Sequence, residues 1–238
     1  MQYYLRNWEE EGISLAITGI IGAMGCEVEM FHGLINDIQT REIAGINFAS
    51  GHIGNCSVVV ACSGVGKVNA AACAQIMIDR FEVSQVINTG VAGALAEYLD
   101  VGQVVIADDL TYHDVRPLQM ESLFPYALSF PCDPGLVQRA QKACRETGVT
   151  NWRTGRIVSG ESFIEDPAVK ERIFSTYGAL CVEMEGAAIA HVAYINKVPF
   201  IVIRSISDKA DNDATVSFAE FSRQAAAVSA RLVLAMLS

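Results

Sequence analysis

Residues 199–208 read PFIVIRSISD, and this stretch decides the fold class. From Phe200 to Ile206 the run lacks the in–out alternation of a strand with one wet face, so it reads as a strand buried on both sides. Strands of that kind belong to sheets covered by helices on both faces. Outward from it the same signal recurs at 13–21 (ending in Gly22), 43–49, 57–62, 85–88, 101–107, 156–159 and 180–182. The 85–88 strand runs into a Gly-rich stretch, TGVAGAL, read as a turn. Helical signals fall between the strands. Val28, Phe31, Leu34, Ile35 and Ile38 stand at helical spacing over 26–38, and 67–81 is Ala-rich. Further helices are expected at 134–147, at 167–177 with Asp166 as N-cap and Pro167 at the first helical position, and after 182 as far as Asn196. A long terminal helix is expected from Ser217, with Glu220 completing a capping box. Residues 115–133 hold three Pro and three aromatics with little periodicity, and read as a long functional loop. The expected fold is one α/β domain over 13–238, a three-layer α/β/α sandwich around a mixed, mostly parallel central sheet. Residues 1–12 are an N-terminal extension.

Composition narrows the class of partner. The chain has 238 residues, enough for a full core without staples, with 51% apolar and only 18% charged residues. A net charge of −10 repels nucleic-acid backbones and anionic membrane faces, so neither is expected as a partner. Seven Cys, an odd number without a CxxC, fit reduced thiols and a cytoplasmic location. The N-terminus lacks the basic start of a secretory signal, and its nearest apolar run, ISLAITGIIGAMG, is too short and Gly-broken to span a bilayer.

Four constellations could carry chemistry. In GAMGCEV the turn after the first strand places Glu27 near a helix start, where the helix dipole favours a carboxylate whatever its use. In VEMEGAA, Glu183 and Glu185 stand where an apolar strand leaves the sheet. Ligands bind at such carboxyl ends, and one carboxylate can accept hydrogen bonds from two vicinal hydroxyls; Glu185 would equally serve as a cap for the next helix. In IRSISDK, Arg204 and Asp208 follow the decisive strand, and Asp208 is either a loop charge or a carboxyl whose desolvation keeps a proton near neutral pH. In SGESFI, Phe163 offers a flat face to a heterocycle or simply fills the core, and Ile164 offers a backbone edge. His32, His52, His113 and His191 are scattered, with no pair at metal-ligand spacing, and Ser63 and Ser159 form no GxSxG elbow.

These stretches, in this order, together with SGVGKVNAA and INTGVAGAL, resemble the nucleoside phosphorylase superfamily, and more closely the bacterial 5'-methylthioadenosine/S-adenosylhomocysteine nucleosidases. The resemblance implies an N-glycosyl hydrolase that releases adenine from 5'-substituted adenosines, needs no cofactor, and works as a homodimer with the loop at 113–131 near the partner subunit's site. It assigns Glu27 to the attacking water, Asp208 to protonation of adenine N7, and Arg204 to the charge beside Glu27 and Glu185. Glu185 takes the ribose hydroxyls, Met24 and Met184 the wall beneath the sugar, Phe163 and Ile164 the base, and Phe218 a lid contact. Val91, Gly93, Val182, Glu183 and Ser207 complete the implied binding set. Glycosidic cleavage passes through an oxocarbenium-like state and purine leaves poorly until protonated, so an acid and a water-holding carboxylate meet the need.

Two departures from the family pattern bear on substrate. Val91 stands where many members have Ser, and VRPLQMESLFPYALSFP replaces the usual sequence after Tyr112-His113-Asp114. Aminodeoxyfutalosine is therefore an alternative substrate. A phosphorylase is the nearest rival activity, but Glu27 falls where a phosphate-binding Arg would be expected, a repulsion of roughly 1–4 kcal/mol. A non-catalytic nucleoside-binding protein is the third reading.

Overall fold

The computed structural model describes residues 16–238. The proposed extension at 1–12, and the first residues of the domain and strand expected from 13, lie outside the described residues. In chain order the elements are β1 (Ile17–Gly22), α1 (Gly25–His32), β2 (Asn36–Ile43), β3 (Ile46–Ile53), β4 (Cys56–Cys62), α2 (Lys67–Phe81), β5 (Gln85–Ala94), β6 (Val104–Tyr112), α3 (Pro117–Ser122), β7 (Phe130–Pro131), α4 (Pro134–Glu146), β8 (Trp152–Ser159), α5 (Pro167–Tyr177), β9 (Cys181–Glu183), α6 (Gly186–Asn196), β10 (Phe200–Asp208) and α7 (Ala214–Met236).

One mixed sheet runs β10-β6-β8-β9-β5-β1-β4-β3-β2, and β5 also pairs with β10. The extra pairing closes β5, β9, β8, β6 and β10 into a ring, so one end of the sheet curls towards a barrel. Parallel pairings hold the centre (β4–β1, β1–β5, β5–β10, β6–β8, β8–β9), as apolar strands require. Antiparallel pairing is confined to the β2–β3–β4 hairpins, β7, and the short contacts of β9 with β5 and β10 with β6. Two cores sandwich the sheet. Ala70, Cys73, Ala74 and Met77 of α2 join Ala187 to Ala193 of α6 on one face. Val28 and Phe31 of α1, Leu136 and Ala140 of α4, and Leu232 and Val233 of α7 cover the other. Chain order and layers thus match the expected α/β/α sandwich.

Where elements differ from the sequence reading, the reason is local. The helix expected over 26–38 stops at His32; Asn36 begins β2, an edge strand exposed almost throughout, and Leu34 and Ile38 face solvent. The strand expected at 43–49 is two strands joined by Ala44 and Gly45, both at positive φ, the signature of a tight hairpin turn. TGVAGAL is not a turn. β5 continues through it to Ala94, held by parallel pairing with β10. β6 lies later than expected, after a turn in which Gln103 N–H donates to Asp100 O. The expected α5 is found at its expected bounds, with the Asp166 side chain accepting from Ala168 and Val169 N–H. α7 begins at Ala214, so Ser217 lies inside it and forms no capping box with Glu220. The segment at 115–133 is not all loop, because it holds α3 and β7.

All seven Cys are free; four are buried and Cys26, Cys56 and Cys62 half-buried. Among the described residues no helix is long and apolar enough to cross a membrane, and no cluster of His, Cys, Asp and Glu could hold a metal ion.

Candidate active site

The carboxyl ends of β1, β5, β9 and β10 converge on a cavity of about 150 Å³. Its lining includes Met24, Glu27, Val91, Gly93, Phe163, Val182, Glu183, Met184, Glu185, Ser207, Asp208 and Phe218, twelve of the fourteen residues singled out from sequence. Ile164 lines an adjoining recess of about 30 Å³ beside Phe163 and Asp208. Arg204 does not line the cavity; it lies fully buried behind it.

Glu27 owes its place to the turn after β1. Gly22 leaves no room for a side chain, because a Cβ there would stand 2.8 Å from Val28 and 2.9 Å from the Glu27 Cβ. The chain enters α1 through extended Met24, and Glu27, at the third helical position, folds back on the turn. Its Oε2 accepts from Ala23 N–H (2.7 Å) and Met24 N–H (2.9 Å), while Oε1 accepts from Val91 N–H at 3.0 Å. Gly90 makes this possible, since a Cβ there would come within 2.5 Å of Glu27 Oε1 and 3.0 Å of Arg204 Nη1. Burial pushes the Glu27 carboxyl above the usual range, opposed by Arg204 and the three N–H donors. A carboxylate raised in this way is a better base near neutral pH.

Asp208 ends β10. Its Oδ2 accepts from Ser207 Oγ at 2.8 Å and Oδ1 from Ala210 N–H at 2.9 Å. Gly93 admits it, because a Cβ there would stand 2.7 Å from Oδ1. Burial raises the Asp208 carboxyl against those two donors, which favours retention of a proton. Thus Gly90 and Gly93, placed by sequence in a turn, are strand residues that clear space for the two carboxyl groups.

Glu183 and Glu185 part ways where β9 gives over to α6. Glu183 Oε2 accepts from Arg204 Nη2, from Gly186 N–H (2.7 Å) and from Glu185 N–H (3.1 Å), and Oε1 accepts from Ser159 Oγ. Glu185 points to the cavity, accepts from Gly66 N–H at 2.8 Å, and stands 3.9 Å from Arg204 Nη2. Burial and the neighbouring Glu183 push the Glu185 carboxyl up to about 7. Arg204 is therefore gripped most closely by Glu183 rather than Glu185, and Asn88 Oδ1 takes a further Nη2 hydrogen bond at 2.6 Å. At the mouth, Phe163 remains 42% exposed and meets Phe218 edge-on, with ring centroids 5.6 Å apart.

Sequence reasoning missed several residues. Ala23, Val65 and Ala92 line the cavity, and Ser162 the recess. Gly66, Asn88 and Ser159 hold Glu185, Arg204 and Glu183 from behind. All of them lie within the stretches that carry the resemblance, which was the signal available; nothing local marked their roles, because the partners of Gly66, Asn88 and Ser159 are distant in sequence.

The family model of the phosphorylase superfamily matches residues 17–238. A 5'-methylthioadenosine/S-adenosylhomocysteine nucleosidase of Staphylococcus carnosus is 39% identical over 224 residues, covering 92% of this chain and 98% of the relative. The crystal structure of the corresponding nucleosidase from Neisseria meningitidis, in complex with methylthio-immucillin-A, superposes with a TM-score of 0.90 at 34% identity, covering 93% of this chain and 98% of that one. The native structure of a Helicobacter pylori futalosine hydrolase superposes with a TM-score of 0.87 at 32% identity, covering 93% and 97%.

Proposed function

Because the chain belongs to the 5'-methylthioadenosine/S-adenosylhomocysteine nucleosidase family of the phosphorylase superfamily, we propose that it hydrolyses the N-glycosidic bond of these two nucleosides and releases adenine. The observation that carries the reading is the pair of raised carboxyl groups on one cavity, Glu27 and Asp208. Glu27 is held by Val91 N–H, and Asp208 packs into the space that Gly93 leaves two residues further along β5.

In this reading Asp208 protonates N7 of the leaving base, which rests against Phe163 and the Ile164 backbone. Glu27, with one oxygen on two turn N–H groups and the other on Val91, takes the proton of the attacking water. Glu185 accepts the ribose hydroxyls, with Met24 and Met184 beneath the sugar. Arg204 stays behind the wall and balances the three Glu carboxylates around it. Val91, Gly93, Val182 and Ser207 shape the cavity. Glu183 has its oxygens committed to Arg204, Ser159 and the α6 turn, which favours a supporting part over a direct ribose contact.

The likeness to a futalosine hydrolase, together with the distinctive 115–131 segment, favours aminodeoxyfutalosine as a second substrate to test. A homodimer belongs to the same reading. Leu118, Leu123, Phe124, Tyr126 and Leu128 in that segment, with Val68, Tyr194 and Ile195, are exposed apolar side chains that a second copy of the chain would cover. A cytoplasmic location is supported by the free thiols.

The test is adenine release from 5'-methylthioadenosine, S-adenosylhomocysteine and aminodeoxyfutalosine, with and without phosphate. Release without phosphate is expected; strict phosphate dependence would move the chain to the phosphorylases, and binding without release to a non-catalytic protein. The pH profile of kcat/KM should be bell-shaped. On the acid side Glu185 takes up a proton around pH 7 and accepts less well from ribose hydroxyls; on the alkaline side Asp208 loses the proton it must deliver. A profile that stays flat as the pH falls through 7 contradicts the Glu185 assignment.

A further inference from the structure

Ser159 is fully buried at the end of β8 and does not line the cavity. Its hydroxyl oxygen accepts from Ala187 N–H in the first turn of α6 at 2.7 Å, and its proton goes to Glu183 Oε1. The other Glu183 oxygen holds Arg204 Nη2. Among the described residues Asn88 is the only other side chain that hydrogen-bonds the guanidinium, and Arg204 Nε has no partner. The guanidinium in turn lies against Gly90, next to the Glu27 oxygen that Val91 holds, and 3.9 Å from Glu185. A chain of contacts therefore runs from a hydroxyl outside the cavity through Arg204 to Glu185, and sets the charge that faces Glu27 across Gly90.

We propose that Ser159 is a positioning residue for hydrolysis, fixing Glu183 so that Arg204 stays between Glu27 and Glu185. The proposal rests on the hydrolase reading above. Without the hydroxyl, Glu183 and Ala187 N–H lose their partner together, in a site where water cannot replace it. Glu183 is then free to turn, and Arg204 follows it away from Glu27 and Glu185. Glu183 also lines the recess beside Phe163 and Ile164, but Asp208 takes its hydrogen bonds from Ser207 Oγ and Ala210 N–H, outside this chain, so the groups that meet the base keep their partners. The effect should fall on water activation and not on recognition of the base.

The experiment compares wild type with Ser159→Ala and with Ser159→Cys, which nearly keeps the side-chain shape but donates weakly and guards against a simple packing failure. Steady-state hydrolysis of 5'-methylthioadenosine gives kcat and KM, product inhibition gives the affinity for adenine, and thermal melting confirms folding. In both variants kcat is expected to fall about ten- to hundredfold, the range for a lost hydrogen bond to a charged group, with adenine affinity unchanged within about twofold. A fall of less than about fivefold in a folded variant overturns the proposal. A parallel loss of adenine affinity overturns it as well, since that marks a general loosening of the cavity. A wild-type chain that releases no adenine instead overturns the hydrolase reading, and this is visible before any variant is compared.

Discussion

Asp208→Asn should bind 5'-methylthioadenosine with near wild-type affinity and release adenine 10²–10⁴-fold more slowly, the usual worth of a positioned general acid. That corresponds to about 3–5 kcal/mol of barrier. The amide is nearly the same size, so the space cleared by Gly93 still receives it. Its oxygen can keep the bond to Ala210 N–H, and its NH₂ can donate to Ser207 Oγ where the carboxylate accepted. What it lacks is a transferable proton. In the wild type, burial is the main reason the carboxyl keeps that proton above the usual range. Single-turnover adenine release and calorimetric titration separate the two effects. Full activity in the variant removes Asp208 from its role; loss of binding and rate together would show that the residue builds the pocket rather than acting in the chemical step.

Glu27→Gln should be comparably severe, again about 10²–10⁴-fold in kcat, with adenine binding largely intact. It also carries a folding penalty that Asp208→Asn does not. The Gln oxygen can keep Ala23 and Met24 N–H, which both bond one oxygen of the native carboxylate. The amide nitrogen must then face Val91 N–H and the Arg204 side, donor against donor. An unsatisfied buried donor costs roughly 1–3 kcal/mol, more beside a charge, so the melting temperature should drop together with the rate. A variant that hydrolyses at the wild-type rate contradicts the water-activating assignment, whatever its melting temperature. Native stability with lost activity would mean that the amide finds a partner the static geometry does not offer.

The two substitutions also divide what could be read from sequence. The buried strands, the Asp166 cap with Pro167 behind it, and the Lys67–Phe81 helix were legible because each depends on neighbours a few residues away. The site residues were legible as a set through their motifs, and the cavity lining collects nearly all of them. The misread elements share a cause. Gly90 and Gly93 look like turn formers, yet pairing with β10 keeps them extended, and that partner lies more than a hundred residues away. Leu34 and Ile38 mimic a helical face that the edge hairpin leaves in water.

The order of amino acids alone made the available chemistry legible: three Glu and one Asp, each where a strand ends or a helix begins, and Arg204 within the last strand. It also determined the layered fold that gathers strand ends on one side. How those groups divide the work follows from packing across the fold. Glu183 and Glu185 are the same residue type two positions apart, and nothing local distinguishes them. One has its oxygens bound by Ser159, Arg204 and the α6 turn; the other is left to Gly66 N–H and the cavity. The physical reason is that a buried carboxylate takes its character from the donors and charges that surround it. Those neighbours come from β8, β10 and the turn before α2, which meet only when the sheet closes.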